Sequence, residues 1–294
     1  MKFADPKNDL AFKKIFGDEN HKNILISFLN SILDFQGDKL IVDITLANPY
    51  QIPKIAELKE TILDIQATNQ NKETFIVEMQ KKDLHNFEKR SLYYTSKAYV
   101  SQLPKGDDYS LLKKVYFIGI LNFEIFKNES FISRHLIINQ ETNTQDLEDF
   151  AFSFIELPKF KKELSELNTL LDKWIYFLQK ASDMELIPEE YNKIEEFEDA
   201  FDIASQTKWN AKELEVYEYM SLKAFDEINA LRTAERKAMR KGIEKGIEKG
   251  IKKGIEKGIE KEKITIAKNL LAAKVNIEII VATTGLSEKE IKNL

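Results

Sequence analysis

Two short segments restrict what this chain can fold into: Ile62-Leu63-Asp64-Ile65-Gln66 and Ile76-Val77-Glu78-Met79-Gln80. Each places a carboxylate among apolar neighbours and reads as a β-strand. Side chains alternate across a strand, so Ile62, Asp64 and Gln66 share one face of the first, and Ile76, Glu78 and Gln80 one face of the second. The polar stretch between them, Thr68-Asn69-Gln70-Asn71-Lys72, is a turn signal. A hairpin centred near Asn71 sets Asp64 opposite Glu78, with Cβ atoms roughly 4.5–5.5 Å apart. Like charges at that spacing repel, so the pair calls for a cation or partial protonation. On position alone, Asp64 reads either as a polar residue on a solvated edge strand or as half of a site for a shared divalent metal. Ile62 and Gln66 on its own face weigh against plain solvation. Two carboxylates with the neutral amide oxygen of Gln80 form a hard, oxygen-rich set suited to Mg²⁺ or Mn²⁺. Such an ion activates water and stabilises charge on a phosphate during hydrolysis.

The flanking sequence predicts a mixed α/β sheet domain. Apolar residues at Leu10, Phe12, Ile15 and Phe16, then at Ile24, Leu25, Phe28, Leu29 and Ile32, have helical spacing and predict two helices broken near Gly17-Asp18. Ile41 to Leu46 reads as a short strand. Asn86 to Leu103 reads as a helix ended by Pro104-Lys105-Gly106. Val115 to Phe123 is a continuous apolar run and predicts a buried strand, with two more at Phe131 to Ile138 and Phe150 to Leu157. After Pro158 the pattern turns helical: Phe160 to Gln179, Lys193 to Ala204 and Ala211 to Ala238 predict a helical extension packed on the sheet. The expected divisions are 1–158, 159–240, 241–263 and 264–294.

From Lys241 the chain repeats Lys-Gly-Ile-Glu, with glycines at 242, 246, 250, 254 and 258 and one unit reading Lys-Gly-Ile-Lys. A four-residue period exceeds the helical 3.6, so each isoleucine is displaced by roughly 40° from the last. A stripe that winds this steeply disfavours a long coiled coil. Each glycine costs a helix roughly 0.8–1 kcal/mol relative to alanine. The segment reads as a marginal helix that self-associates through its Gly and Ile faces, or as a solvated linker, which composition favours. Beyond it, Ala267, Leu270, Leu271 and Val275 predict one helix and Ile277 to Thr284 a second. Ser287-Glu288-Lys289-Glu290 has capping-box spacing after the break at Gly285. This tail reads as a small helix-turn-helix. Its few basic residues favour a packing or dimerisation module over a DNA-reading helix.

Several function classes drop out. The chain has no cysteine, which removes disulfides, thiolate zinc sites and cysteine nucleophiles, and fits a cytoplasmic setting. His21, His85 and His135 are isolated, without HxH or HExxH spacing, and no nucleotide-binding glycine motif occurs. A net charge of -5 advertises no global field for nucleic acid, although a local patch with bound metal suffices. The N-terminus turns charged at once and does not read as a signal peptide. No apolar run is long enough to span a bilayer.

At Asp64 and Glu78-Met79-Gln80 the sequence resembles the PD-(D/E)xK nucleases, and more closely the Rpn recombination-promoting nucleases, also labelled transposases. Asn8-Asp9-Leu10-Ala11-Phe12-Lys13-Lys14-Ile15-Phe16-Gly17 is similar to that family's N-terminal signature. Leu63-Asp64-Ile65-Gln66-Ala67 and Val77-Glu78-Met79-Gln80 match its catalytic strands. Arg90-Ser91-Leu92-Tyr93-Tyr94, followed by Gln102-Leu103 and Gly106, matches its next helix, and the Gly-Ile-Glu-Lys tail is typical of it. The resemblance implies a restriction-endonuclease-like α/β fold. It also implies a Mg²⁺-dependent DNA endonuclease linked to recombination, mobile elements or defence. Asp64, Glu78 and Gln80 are the implied catalytic residues, and Asp64, Glu78 and Asp9 the implied metal ligands; Asp9 reads equally as a helix N-terminal cap residue. Gln80 replaces the lysine usual in the superfamily, so the positive charge must come from elsewhere: Lys13, Lys81, Lys82 or Arg90. Arg90, Tyr94, Lys97 and Ser101 fall on one helical stripe able to contact DNA phosphates. The rival reading is a non-catalytic interaction protein on a degenerate nuclease fold. A homo-oligomer through the repeat and terminal helices is also expected.

Overall fold

The computed structural model describes residues 2–47, 50–51, 61–83, 86–104 and 106–294, and of Tyr50, Gln51, Thr61 and Ile62 the backbone alone. His85 and Lys105 lie outside the described residues. The chain divides into two compact units, Met1–Leu222 and Lys223–Leu294.

The first unit opens with helices α1 (Asp9–Phe16) and α2 (Lys22–Leu33). Asn8 caps α1 by accepting the Leu10 N–H at 3.0 Å, so Asp9 is the first helical residue and not the cap. Gly17 ends α1: a Cβ there would sit 2.6 Å from the Lys13 carbonyl oxygen. The break therefore falls where the apolar pattern predicts it. Strands β1 (Ile44–Leu46), β2 (Tyr50–Gln51), β3 (Thr61–Ile62), β4 (Ile65–Asn69) and β5 (Thr74–Gln80) follow. Next come helix α3 (Phe87–Ser101) and strands β6 (Val115–Leu121), β7 (Ile132–Leu136) and β8 (Phe150–Glu156). The main sheet has six strands in the order β1-β4-β5-β6-β8-β7, while β2 and β3 pair separately. β5, β6 and β8 run parallel at its centre; β1, β4 and β7 pair antiparallel. Parallel neighbours need a crossover, and α3 supplies the one from β5 to β6. This is the mixed α/β sheet that the pattern predicts.

Three expectations need correction. Ile62 to Gln66 is not one strand: Ile62 ends β3 opposite Tyr50, the chain bends at Asp64, and β4 begins at Ile65. Leu63 packs on the α3 side of the sheet with Phe87 and Phe117, whereas Ile65 packs on the other side with Val77. Residues two apart in a regular strand would share a face. The bend at Asp64 breaks that alternation and lets both be buried.

The second correction concerns Phe160 to Gln179. Helix α4 runs only from Leu170 to Lys180, because Thr169 and Asp172 form a capping box that starts it there. Phe160 and Leu167 are buried from an irregular approach segment instead. Helix α5 (Glu195–Ala204) follows. Trp174, Phe177, Phe197 and Phe201 from α4 and α5 join Phe12, Phe16 and Phe28 of the first helices and Val77 and Ile118 of the sheet in one core. The extension after Pro158 thus completes the first unit's own core.

Helix α6 (Ala211–Ala272) is 62 residues long, and the Lys-Gly-Ile-Glu repeat lies within it. This is the third correction: of the two readings of the repeat, the helix is the one adopted and not the solvated linker that composition favours. In the second unit, α7 (Ile277–Thr284) and α8 (Glu288–Lys292) bury Ile280 and Ile291 against Ala267 of α6. Gly285 caps α7 in the left-handed region at φ 69°, and Ser287 and Glu290 form the expected capping box. No described helix is long and apolar enough to cross a membrane.

Candidate active site

The β4–β5 hairpin pairs Ile65 with Val77 and Gln66 with Ile76, and that register continued sets Asp64 across from Glu78. The two carboxylates lock onto each other's strand. The Asp64 N–H donates to Glu78 Oε1 at 3.1 Å, and the Met79 N–H donates to Asp64 Oδ2 at 2.9 Å. Glu78 is 2% exposed and the Asp64 side chain 16%. On the other side of Glu78, β6 offers Gly119 as its partner. A Cβ at Gly119 would lie 3.0 Å from both Phe87 and Phe154. Glycine therefore lets the aromatic layer under α3 close down beside the acid. Strand periodicity marks Val115 to Phe123 as buried but does not single out Gly119 or Phe87.

Burial disfavours the charged form of both acids and raises both pKa values. Glu78 is pushed up to about 8, first by desolvation and then by the Asp64 charge. For Asp64 desolvation again leads, opposed by the Met79 N–H and by Lys13, with Asp9 adding repulsion. The hairpin thus presents two acids with a free-energy deficit that a cation would relieve.

Cations reach this pair from two helices. Lys13 of α1 has Nζ 3.6 Å from Asp64 Oδ1. Arg90 of α3 has Nη1 3.5 Å from Gln80 Oε1, lies over the rings of Phe87 and Tyr94, and lowers the pKa of Glu78. Lys81 instead pairs with Asp5 at 3.1 Å, beside Lys7. Of the cations considered for the missing lysine, Lys13 thus contacts Asp64 and Arg90 contacts Gln80. Lys82 and Lys97 each make interactions of their own. Tyr94 and Lys97 are half-buried and Ser101 is exposed, so the α3 stripe is graded from the site outwards.

Asp9 is exposed at the start of α1 and acts on Asp64 through space. Among the described residues, no three His, Cys, Asp or Glu side chains are gathered into a ready-made metal cage. The donor set still fits a hard divalent cation: two acids of raised pKa side by side, a neutral amide oxygen at Gln80, and oxygens left over after each acid accepts one backbone N–H. His21 bonds Asp18 and His135 stacks near Phe126 and Phe154, both away from this pair.

A family model described as PD-(D/E)XK nuclease family transposase matches residues 6–234. The chain belongs to that family. The match spans α1, the hairpin, α3 and the helices that complete the core, so the fold is of the PD-(D/E)XK type. A second model, described as Rpn/YhgA-like nuclease family, C-terminal HTH domain, matches residues 260–294. The match supports the small helix-turn-helix expected of the tail, and it favours the DNA-binding reading over the packing or dimerisation module that the few basic residues favoured. No curated protein and no solved structure matches the chain.

Proposed function

We propose that this protein is a Mg²⁺-dependent DNA endonuclease, with Mn²⁺ as an alternative ion. The observation that carries this reading is the buried Asp64–Glu78 pair, held by reciprocal backbone hydrogen bonds within a PD-(D/E)XK-family fold. Asp64 and Glu78 hold the ion, with Asp9 contributing from α1. When bound, the ion supplies Lewis-acid stabilisation of phosphate charge and lowers the pKa of water. Gln80 orients the attacking water by hydrogen bonding, and its own amide is steadied by Arg90. Lys13 and Arg90 supply the positive charge that a lysine at position 80 would have brought. Along α3, Arg90, Tyr94 and Lys97 contact the DNA backbone, where such contacts set register and orientation. The helix-turn-helix module adds a second DNA-binding element. The reading fits a cytoplasmic role in recombination or defence.

The test is cleavage of supercoiled plasmid by purified protein with Mg²⁺. Asp64→Ala should abolish it; undiminished cleavage by that variant overturns the assignment. Gln80 in place of lysine favours a second reading, a non-catalytic interaction protein on this fold. Calorimetric titration separates the two, because a degenerate site binds neither Mg²⁺ nor Mn²⁺ and shows no dependence on Asp64 or Glu78.

A further inference from the structure

The net charge of -5 conceals a division along the chain. Residues 1–222, the first compact unit, hold 27 basic and 38 acidic side chains, a balance of -11. Residues 223–294, the second, hold 17 basic and 11 acidic ones, a balance of +6. The helix-turn-helix module contributes little of that excess, since residues 260–294 carry six basic and five acidic side chains. Its last helix, α8, begins with Glu288 and spends Glu290 on the capping box. Within the repeat, residues 242–260 hold five lysines and four glutamates and are nearly balanced. The excess sits on the stretch of α6 just before it, where Arg232, Arg236, Lys237, Arg240 and Lys241 accompany a single acid, Glu235.

All five cations are exposed. At roughly 100° per residue they share one half of the helix circumference, and Glu235 falls on the other half with Leu231, Ala234, Ala238 and Met239. Arg240 Nε lies 3.4 Å from Glu244 Oε1, and among the described residues the other four form no ion pair. Arg232, Arg236 and Arg240 stand four residues apart, as do Lys237 and Lys241, and like charges at that spacing repel. Glu235, three residues after Arg232, and Glu244, four after Arg240, reach only the ends of this face. Arg236 and Lys237 have no acid three or four residues away on either side. The face therefore carries a repulsion that the helix does not relieve and that a polyanion would.

We propose that this face of α6 grips the phosphate backbone of duplex DNA and supplies the protein's main electrostatic hold on it. The proposal rests on the DNA-binding part of the function given above and not on catalysis. Three arginines in one row favour phosphate as the anion, because the planar guanidinium fork matches its oxygens. Arg232 to Arg240 spans roughly 12 Å at 1.5 Å per residue. That length covers roughly three to four phosphates of one strand, at 3.4 Å of duplex axis each. Between residues 231 and 241, Leu231 and Met239 are the only large apolar side chains, too few to seat the helix in a membrane surface. Backbone contacts of this kind hold the protein on the duplex without reading its sequence, and leave the reading to other elements.

Fluorescence anisotropy of a labelled duplex of about 30 base pairs, titrated with the full chain in chelator across a range of salt, tests this without cleavage. Arg232→Gln/Arg236→Gln/Lys237→Gln/Arg240→Gln/Lys241→Gln should weaken binding by at least roughly tenfold at about 0.1 M salt. It should also flatten the plot of log affinity against log salt by roughly 3 to 4.5, at about 0.9 per lost phosphate contact. Glutamine is as good a helix former as lysine, so helicity should be kept. Lys245→Gln/Lys249→Gln/Lys253→Gln/Lys257→Gln, which removes four charges from the balanced repeat, should cost less than roughly threefold. Arg232→Lys/Arg236→Lys/Arg240→Lys should keep the wild-type slope, and a lost slope there would overturn the electrostatic account. Equal losses in the two glutamine variants would mean diffuse charge and overturn the assignment to this face. An unchanged slope in the fivefold variant, or wild type that binds anionic vesicles and not the duplex, overturns it outright. Plasmid cleavage with Mg²⁺ is read separately. Wild type that cleaves while the fivefold variant binds undiminished sinks this proposal alone; wild type that binds through this face and never cleaves sinks only the nuclease reading.

Discussion

Glu78 should make the metal-free protein less stable as the pH rises, and Glu78→Gln should remove that loss. The carboxyl is 2% exposed, and its pKa is raised from 4.5 to about 8 by desolvation and by the Asp64 charge. The folded chain holds a proton there that the unfolded chain releases, so raising the pH through this window favours unfolding. Stability from this group is complete below about pH 4.5 and gone above about pH 8. At 1.36 kcal/mol per pH unit the ceiling is roughly 5 kcal/mol, and roughly 2–5 kcal/mol is expected once the site relaxes. Glutamine keeps an oxygen to accept the Asp64 N–H, so the hairpin should survive the substitution. The assay is urea unfolding in chelator at about pH 5 and about pH 8.5, where wild type should lose stability and Glu78→Gln should lose far less. Mg²⁺ should restore the wild type at the higher pH by mass action and leave the variant unmoved. Parallel stability profiles for the two proteins across this range would refute the reasoning.

Gly119→Ala should destabilise the first unit by roughly 1–3 kcal/mol, because its methyl group meets Phe87 and Phe154 at 3.0 Å; chemical denaturation measures this, and a neutral effect would mean the aromatic layer can shift. Arg90→Gln should cut plasmid cleavage more than it affects the melting temperature, whereas Lys81→Gln, whose lysine pairs with Asp5, should cut it less. Arg90→Lys should rescue part of the loss if charge matters, and none if the planar contact with Gln80 does. Gly285→Ala forces a side chain into the left-handed region and should cost the second unit roughly 1–2 kcal/mol, visible as faster proteolysis after α7 with cleavage of plasmid retained.

Where neighbouring residues decide the structure, the sequence was sufficient. Gly17 and the apolar spacing place α1 and α2, and Ser287 with Glu290 starts α8. The polar turn near Asn71 sets a hairpin register that brings Asp64 opposite Glu78. Each of these is settled by caps, turns or alternation within a few residues. Lys13 and Arg90 were two of the four cations that the resemblance left open, but which cations approach the acids depended on where α1 and α3 pack. The bend at Asp64, which turns Leu63 and Ile65 into two different cores, is not written in the local alternation. Gly119 beside Glu78 came from parallel pairing across a helical crossover. The opening pair of carboxylates was thus written in the chain, while their burial and raised pKa values were decided by the tertiary structure, because desolvation depends on residues far away in sequence.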